Sequence, residues 1–366
     1  MENINKIGFI GLGLIGGSLA KTIKRKHEDI EIIASSGHAS TVSAAYEMGL
    51  ISNSTPATIK ELAMCDIVFL CAPVQQNTEY LEEIKKYIKP ECILSDVGSV
   101  KNDIHYVVKK LGLTANFIGG HPMAGSEKTG LSNANAYLLE NAYYILTPEA
   151  DVPENMTKKM FDFIKGLDSI PLILDPDEHD FDTAAISHLP HVVSAALVNL
   201  VEQSDNAEET MKAIAAGGFK DITRISSSSP VMWQEICLTN SKKIVSLIDK
   251  YVESLNDIRD HIDACDGQEI IHFFESAKNY RDSFNITTKK NRRNVFEFYC
   301  DLIDEAGGIA TIATILSTNG ISIKNIGIVH NREFEEGVLL IELYDNDAYT
   351  KSIDLLKKHH YNIHER

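Results

Sequence analysis

The sequence has few cysteines, few positive charges and no long apolar run. Its six cysteines form no CxxC pair and no cluster with histidine, so the pattern predicts neither a disulfide framework nor a zinc site. The longest apolar stretch, residues 192–201, is about half of a membrane span, and residues 1–6 do not resemble a signal peptide. We therefore expect a soluble protein of the reducing cytoplasm, without a metal and without a membrane partner.

Positive charge is scarce, because 35 Lys and Arg residues are outnumbered by 52 Asp and Glu residues, which gives a formal net charge of -17. Nucleic-acid binding needs a basic face, and the only dense basic run, residues 289–293, is typical of a solvated linker. The composition therefore argues against a nucleic-acid partner. A site for a small anion would need local cations in this acidic protein, so an arginine near such a site is informative.

A glycine-rich segment near the amino terminus joins a predicted strand to a predicted helix. Residues 6–10 are typical of a buried strand, residues 11–17 have the sequence GLGLIGG, and residues 18–26 have helical periodicity. In a dinucleotide site such glycines make the turn, let backbone amides meet a pyrophosphate and let helix and strand pack closely. This setting favours a dinucleotide site over a structural turn. The predicted cofactor-binding residues of this segment are Gly11, Gly13, Leu14, Ile15 and Gly16.

The second predicted strand, residues 30–34, is not followed by the acidic residue that usually binds the adenosine ribose hydroxyls. It continues into Ser35, Ser36 and His38, the candidate contacts at this position. No carboxylate there repels a 2'-phosphate, which slightly favours NADP, but no arginine follows to clamp such a phosphate. Glu31 is an alternative acid. NAD and NADP both remain open.

Strands and helices alternate through residues 1–175, which predicts an α/β domain with a parallel, doubly wound sheet. Ligands of such sheets lie beyond the carboxyl ends of the strands. Pro73, Ser99 and His121 each follow a predicted strand, so we expect them at the edge that carries the glycine segment. A neutral imidazole is a usual proton acceptor near pH 7, so His121 is the candidate base. The alternative is a surface turn with an idle histidine.

After residue 175 the pattern changes to long helices without strands. His188 and His191 are three residues apart, on one face of an apolar helix that Pro190 should kink. Either histidine alone is typical of a satisfied core residue. The pair beside a proline favours a site.

Arg224 is the cation that the charge argument requires, and an exposed helix arginine is its alternative role. Trp233, the only tryptophan, begins a predicted helix that reaches residue 265, and core packing is its favoured role. Long helices with an apolar face commonly bury it against a twin subunit, so we expect a homodimer.

The last part of the chain predicts strand, helix, two strands and a helix, with room for a short final strand. It contains no nucleophile, metal cluster or phosphate loop, which favours a regulatory or interaction role. The predicted domains are a dinucleotide-binding domain at 1–175, a helical substrate and dimerisation domain at 176–285, a linker at 286–294 and a small α+β domain at 295–366.

Five stretches in one order carry a resemblance to a known family. The chain resembles the prephenate dehydrogenases of the TyrA family along its whole length, and its tail resembles an ACT domain with a ferredoxin-like fold. The resemblance implies a Rossmann domain and the oxidation of prephenate, with loss of carbon dioxide, to 4-hydroxyphenylpyruvate on the route to tyrosine. The stretches are IGFIGLGLIGGSLA at 7–20, SDVGSVK at 95–101, GGHPMAGSEKTG at 119–130, EHD and SHLPH within 178–191, and GGFKDITRI at 217–225.

The resemblance also implies roles for individual residues. His121 resembles the base for the ring hydroxyl and Ser99 the residue that orients it. His191 and Arg224 resemble substrate-binding groups, with Arg224 meeting a carboxylate. The remaining residues that match positions lining or gating the pocket are Ser126, Glu127, Gly217, Asp221 and Trp233.

The sequence departs from the family pattern in two places. Ser36 replaces the usual aspartate, which affects the choice between NAD and NADP, and the last ACT strand is short, which affects the effector site. Tyrosine is the natural inhibitor for such a pathway, with the loops at 307–308 and 319–320 as candidate contacts. Three alternatives stay open: a dehydrogenase of another small hydroxy acid, an arogenate dehydrogenase, and a non-catalytic sensor of dinucleotide and amino acid.

Overall fold

The computed structural model describes residues 4–125, 128–291, 296–302, 307–329 and 337–365. The chain forms two compact units, Met1–Ser254 and Leu255–Arg366, and each is described by itself. This division differs from the predicted domains, because the first unit contains the predicted cofactor domain and also the first helices of the predicted helical domain.

Strands and helices alternate in the first part of the chain, as predicted. The helix after the glycine turn begins at Leu14, within the glycine segment and four residues earlier than predicted. The elements are β1 (Lys6–Ile10), α1 (Leu14–Lys26), β2 (Glu31–Ser35), α2 (Ala39–Glu47), α3 (Ile59–Leu62), β3 (Ile67–Leu70), α4 (Val74–Ile84), β4 (Ile93–Asp96), α5 (Asn102–Leu111), β5 (Ile118–Pro122), β6 (Tyr143–Pro148), α6 (Glu154–Gly166) and β7 (Ile170–Ile173).

The sheet is parallel in its first four strands and mixed beyond them. The order β2-β1-β3-β4 is parallel throughout, and a parallel bridge between Leu94 and Phe117 leads to the strands β5-β6-β7. There β5 and β6 are antiparallel, which corrects the prediction of a fully parallel sheet. The described part of residues 123–142 contains no α-helix to carry the chain back across the sheet, and parallel strands need such a crossover.

Both faces of the parallel strands are covered by helices, as expected for a doubly wound sheet. Along β3, Ile67 and Phe69 pack into the core on the α1 side, whereas Val68 and Leu70 pack into the core on the side of α4 and α5. This alternation follows from the two-residue period of a strand. Helices therefore cover both faces of the sheet, and the loops that follow the strands lie at its carboxyl edge.

The helical region begins with α7 (Pro176–Thr183), a π-helical turn (Ala184–His188) and α8 (Leu189–Ser204), which form one continuous helix. The predicted disturbance at Pro190 takes the form of this π-helical turn directly before it, a common way to absorb a disturbed helix ladder. Among the described helices, residues 176–204 alone are long and apolar enough to cross a membrane by length and composition. The start of this helix is fixed to the sheet region, because Asp180 accepts hydrogen bonds from the amides of Lys101 and Asn102.

Two boundaries in the helical region differ from prediction. The long helix predicted over 233–265 is divided at Asn240, whose side chain bonds to other helices instead of facing solvent. The last helix runs to Asn291 through much of the predicted linker, and residues 292–295 lie outside the described residues. The remaining elements are α9 (Thr210–Ile214), α10 (Gly217–Thr223), a 3-10 helix (Arg224–Ser227), α11 (Pro230–Thr239), α12 (Ser241–Asp263) and α13 (Gly267–Asn291).

The second unit contains an antiparallel sheet with the order β11-β8-β10-β9. Buried side chains from the sheet and from both helices, including Phe298, Leu339, Ile312 and Leu356, form its core. The predicted short final strand is present and pairs with β8. The elements are β8 (Phe296–Leu302), α14 (Gly308–Thr318), β9 (Ile323–Val329), β10 (Gly337–Leu343), α15 (Asn346–Lys358) and β11 (Ile363–Glu365).

Candidate active site

The glycine segment has the backbone geometry of a dinucleotide-binding turn. Gly11 has a φ of +96°, and a Cβ there would lie 2.7 Å from the carbonyl oxygen of Cys71. A Cβ on Gly16 would lie 2.5 Å from the carbonyl oxygen of Gly11, whereas one on Gly13 would meet no atom within 4 Å. The turn is therefore closed on the protein side and open at Gly13, where α1 begins without an acidic residue in its first turn. These residues fit a dinucleotide pyrophosphate.

The predicted adenosine contacts lie at the carboxyl end of β2. Ser35 ends the strand, Ser36 is half-buried, and His38 is exposed at the start of α2. Glu31 lies at the opposite end of the strand, where its carboxylate bonds to Lys6 at 3.0 Å. The suggestion that Glu31 replaces the missing ribose-binding acid is therefore wrong.

The other predicted cofactor residues lie at the same carboxyl edge. Leu14 and Ile15 are half-buried in the first turn of α1, and Pro73 is exposed at the start of α4, directly after β3. The side chain of Asn77, one turn into α4, donates to the carbonyl of Ala72 at 3.1 Å and so supports the tip of β3.

A buried ion pair fixes the backbone that precedes His121. Lys101 and Asp96 are in contact and almost fully buried. Asp96 accepts a hydrogen bond from the amide of Gly120 at 3.1 Å, and the ammonium of Lys101 donates to the carbonyl of Gly120 at 2.7 Å. Burial lowers the pKa of Lys101, and the Asp96 carboxylate opposes that shift. Because both groups of one residue are bonded to charged partners, the position of His121 at the end of β5 is strongly determined.

The imidazole of His121 is the first of three linked side chains. Its Nδ1 lies 2.8 Å from Nε2 of His179, and Nδ1 of His179 lies 2.8 Å from Oδ1 of Asp180. His179 and Asp180 are almost fully buried. Sequence reasoning found His121 but gave no role to the other two.

Asp180 is held as a carboxylate by several donors. Its oxygens accept the amides of Lys101 at 2.7 Å and Asn102 at 2.8 Å, at the start of α5. Burial alone would raise the pKa of Asp180, but the hydrogen bonds from His179 and from these two amides bring it below its usual value. The buried anion thus lies at a helix N-terminus, where the amide dipoles favour negative charge.

His121 is neutral near pH 7. Burial lowers its pKa well below 6.5, and the charge of Lys101 and the imidazoles of His179 and His188 lower it further. A neutral imidazole can accept a proton, so the arrangement supports general-base chemistry at the carboxyl edge of the sheet.

A second polar group extends from Asp180 towards α8. The side-chain amide of Asn240 donates to the carbonyl of Asp180 at 2.7 Å and to Nδ1 of His188 at 3.2 Å. Burial lowers the pKa of His188 to about 4, although Asp180 opposes the shift. The ring of Trp233 stacks on His191 with centroids 3.9 Å apart. Trp233 therefore packs directly against a predicted substrate residue.

The other predicted substrate residues lie on segments that pack against α8. Ser194 of α8 donates to the carbonyl of Ile222 at 3.1 Å and contacts Oγ of Ser226 at 2.6 Å, which ties α8 to α10 and the turn after it. Gly217 begins α10, and Asp221 and Arg224 are exposed near its end.

Three further predicted residues are Ser99, Ser126 and Glu127. Ser99 is half-buried in the loop after β4, and the described residues show no hydrogen bond between it and His121. Ser126 and Glu127 lie outside the described residues. No group of three or more His, Cys, Asp or Glu side chains within the described ranges could hold a metal ion.

A parallel sheet with a glycine turn at its carboxyl edge, near a neutral imidazole, is typical of nicotinamide-dependent dehydrogenases. Two family profiles match the chain: the nucleotide-binding domain of prephenate dehydrogenase over residues 19–170, and its dimerization domain over residues 175–276. The chain belongs to the prephenate dehydrogenase family. The resemblance to the prephenate dehydrogenases is thereby confirmed, whereas the two profiles do not extend to the ACT-like tail.

Individual relatives agree with this result. The prephenate dehydrogenase of Bacillus subtilis is 38% identical over 339 residues, which cover 92% of this chain and 91% of the relative. A crystal structure of prephenate dehydrogenase from Aquifex aeolicus, in complex with hydroxyphenyl propionate and NAD+, matches with a TM-score of 0.72 and 28% identity over 77% of this chain and 99% of its own. The arogenate dehydrogenase of Synechocystis matches with a TM-score of 0.69 and 29% identity over 76% and 99%.

Proposed function

We propose that the protein is a prephenate dehydrogenase, which converts prephenate to 4-hydroxyphenylpyruvate and carbon dioxide while NAD or NADP is reduced. The observation that carries the proposal is His121, a neutral imidazole at the sheet edge that bears the glycine turn, directly after the Gly120 backbone that Lys101 and Asp96 hold. Its position suits removal of a proton from the ring alcohol of a substrate bound beside the nicotinamide.

In this reaction His121 acts on the substrate hydroxyl. It accepts the hydroxyl proton while the carbon that bears the oxygen loses a hydride, for which a bound nicotinamide is the acceptor. The carboxylate on the ring leaves as carbon dioxide, and its electron pair makes the ring aromatic. The phenolate oxygen then takes the proton back from His121, so that the base is restored and no proton is released or consumed overall.

The substrate carries two carboxylates, so the site needs local positive charge. We assign Arg224 to one of them and His191 to substrate binding, with Ser99 as the residue that orients the hydroxyl. The stacking of Trp233 on His191 and the bonds from Ser194 to the α10 segment support this assignment, because they hold the two elements that carry these groups. The other proposed pocket residues are Ser126, Glu127, Gly217 and Asp221.

We propose that the dinucleotide binds along the carboxyl edge of β1 and β2. The glycine turn would hold the pyrophosphate, and Ser36 and His38 would contact the adenosine ribose. The absence of a carboxylate at Ser36 permits a 2'-phosphate, so the enzyme should accept NADP at a rate measurable beside that with NAD.

The small α+β domain at 295–366 is proposed to be an ACT-like regulatory domain that binds tyrosine. Its chain order of strand, helix, two strands, helix and strand is that of ferredoxin-like domains, and its strand order fits the same fold. A cavity of about 270 Å³ is lined by the predicted loop residues Asn319 and Gly320 and by Asp345, Asp347 and Lys351. The two carboxylates could pair with the amino group of an amino acid, and the lysine with its carboxylate. Activity that is unchanged over a wide range of added tyrosine would exclude this role.

We further propose that the protein works as a homodimer in the cytoplasm. The family profile for the dimerization domain covers residues 175–276, and a partner subunit would cover the apolar surface of the long helix at residues 176–204. We expect all activity to be recovered in the soluble fraction of the cell. The active species there should have twice the mass of one chain.

The test of the proposed reaction is the absorbance of the reduced nicotinamide, with purified protein and prephenate, in parallel with NAD and NADP. Parallel reactions with arogenate decide the substrate, because the Synechocystis relative is an arogenate dehydrogenase. Turnover of arogenate alone would change the substrate and keep the mechanism. Cofactor binding without turnover of either compound would favour the sensor alternative.

A further inference from the structure

We propose that His179, backed by Asp180, is a positioning residue for the general base: it fixes the tautomer of His121 and shares the proton that His121 takes from the substrate. This proposal rests on the proposed function, because it gives the linked side chains a task in the same proton transfer. His179 and Asp180 are adjacent on α7, whereas His121 lies near the end of β5. The three side chains therefore meet only in the folded chain.

The polarity of the link follows from Asp180. Its carboxylate only accepts hydrogen bonds, and it already accepts the amides of Lys101 and Asn102. The atom of His179 that lies 2.8 Å from Oδ1 must therefore carry the hydrogen, which places the proton of neutral His179 on Nδ1. Its Nε2 is left with a lone pair.

That lone pair determines the state of His121. Nε2 of His179 lies 2.8 Å from Nδ1 of His121, and since Nε2 accepts, Nδ1 of His121 must donate. The proton of neutral His121 is therefore on Nδ1, and its Nε2 is the free base. The third group of a catalytic triad orients an imidazole by the same logic.

The link also gives the accepted proton a favourable place. When Nε2 of His121 gains the substrate proton, the proton on Nδ1 can pass to Nε2 of His179, which keeps its own proton on Nδ1. The positive charge then lies on His179 beside the Asp180 carboxylate, and the reverse transfer returns the proton to the substrate oxygen. No proton is gained or lost by the link over one turnover.

The surroundings of the two imidazoles explain why sharing matters. The Lys101 ammonium and the His188 imidazole disfavour a cation on His121, whereas Asp180 favours one on His179. Among the other described neighbours of Asp180, Asp103 is a second acid whose pKa is raised by burial and by the Asp180 charge, and Asn240 is neutral and bonds to the carbonyl of Asp180. Protonation of His121 alone is therefore opposed, and transfer to His179 brings the charge next to its carboxylate.

The kinetic test uses two substitutions of His179. In His179→Gln the amide oxygen can still accept from His121 and the amide nitrogen can still donate to Asp180, but no proton can be shared. We expect kcat to fall roughly 10-fold or more with KM nearly unchanged, and the acid limb of kcat against pH to move to lower pH. His179→Leu removes orientation as well, so its kcat should be lower still.

A matched control is His105→Gln. His105 is also buried and bonded through Nδ1 to a carboxylate, Glu149 at 2.7 Å, but it bonds to Thr147 and not to His121. This variant should lose stability without moving the acid limb. An equal shift in His105→Gln, or a wild-type kcat and acid limb in His179→Gln, would overturn the proposal.

A second test does not depend on turnover. Nitrogen NMR of the free protein labelled with 15N-histidine, with the His121 signals identified from His121→Asn, reports which ring nitrogen carries the proton. We expect hydrogen on Nδ1 of His121 in the wild type and in His179→Gln, and a mixture of tautomers in His179→Leu. Hydrogen on Nε2 in the wild type would refute the link, whereas absence of turnover with the expected NMR result would refute the proposed function alone.

Discussion

The backbone N–H and C=O of one residue, Gly120, bond to a buried anion and a buried cation, and the base of the proposed reaction follows this residue. Lys101 and Asp96 bond to the two backbone groups of Gly120, so their main effect is on the position of the neighbouring His121. A buried ion pair contributes little to stability after desolvation, and its value here is geometric. Burial and then the charge of this cation lower the pKa of His121, which favours the unprotonated state that a base requires.

Replacement of the base is the most direct test at this scale. His121→Asn should lower kcat by roughly 10²-fold or more, because general-base catalysis is lost while the substrate-binding residues remain. The KM for prephenate should change little. Steady-state kinetics with saturating cofactor measures both, and a kcat equal to that of the wild type would reject His121 as the base.

Arg224 should act on binding and not on the chemical step. Loss of a charged hydrogen bond to a carboxylate should raise the KM for prephenate roughly 10- to 100-fold in Arg224→Ala, with kcat largely kept. Lys220→Ala is a matched control, since Lys220 is an exposed cation about one turn earlier in the chain, on α10. The role of Arg224 is rejected when both variants have the wild-type KM.

The sequence was sufficient to find the glycine turn and His121 because each depends on a local pattern. Glycine spacing, and an imidazole just after an apolar run, can be read from consecutive residues, although His121 lies within β5 and not in the loop predicted there. His179, Asp180 and Asn240 gain their roles from contacts between segments that are far apart in the chain, such as Asp180 with the start of α5. The only local signal for His179 and Asp180 was that an imidazole and a carboxylate are adjacent in a predicted helix.

At the scale of elements, one difference from prediction is a break in a helix at a residue whose side chain makes hydrogen bonds to other helices. Asn240 ends α11 because its amide is used to join Asp180 and His188, and periodicity alone cannot reveal that use. The antiparallel pairing of β5 and β6 was also hidden, because the strand pattern carries no direction. The buried strands and the two-sided packing of the sheet were predictable, since apolar runs and alternation specify them.

The histidine that Asn240 bonds to should make stability depend on pH. The pKa of His188 is about 4 in the folded chain and near 6.5 in an unfolded one, so between these values the unfolded chain binds a proton that the folded chain does not. The free energy of unfolding should therefore fall as the pH is lowered from 6.5 to 4, with a contribution from His188 of at most about 3 kcal/mol.

Urea unfolding at several pH values measures this contribution. His188→Gln is compared with the wild type only by the slope of the free energy of unfolding against pH, because the substitution also changes packing. We expect a shallower decline with falling pH in the variant. Parallel curves for the two proteins would show that His188 does not titrate on unfolding in this range.

At the scale of the whole molecule, a second exposed apolar surface, besides that of residues 176–204, is a stripe along α12. Val245, Val252, Leu255 and Ile262 lie on one side of this helix at the spacing of a coiled-coil seam, and each is about half exposed. With a net charge of -17, two chains repel at long range, so a stable homodimer needs an apolar contact of this kind.

The final prediction concerns this stripe. Val252→Asp would place an unpaired carboxylate in the proposed contact between subunits, and an uncompensated buried charge is strongly destabilising to an interface. At micromolar concentration we expect the wild type to have twice the mass of one chain by light scattering and Val252→Asp to have the mass of one chain. Ser246→Asp adds the same charge on the opposite side of the helix, where it is exposed, and should leave the dimer intact. Dissociation of both variants would mean that net charge, and not the stripe, controls assembly, whereas a dimer in all three proteins would place the subunit contact elsewhere on the helical region.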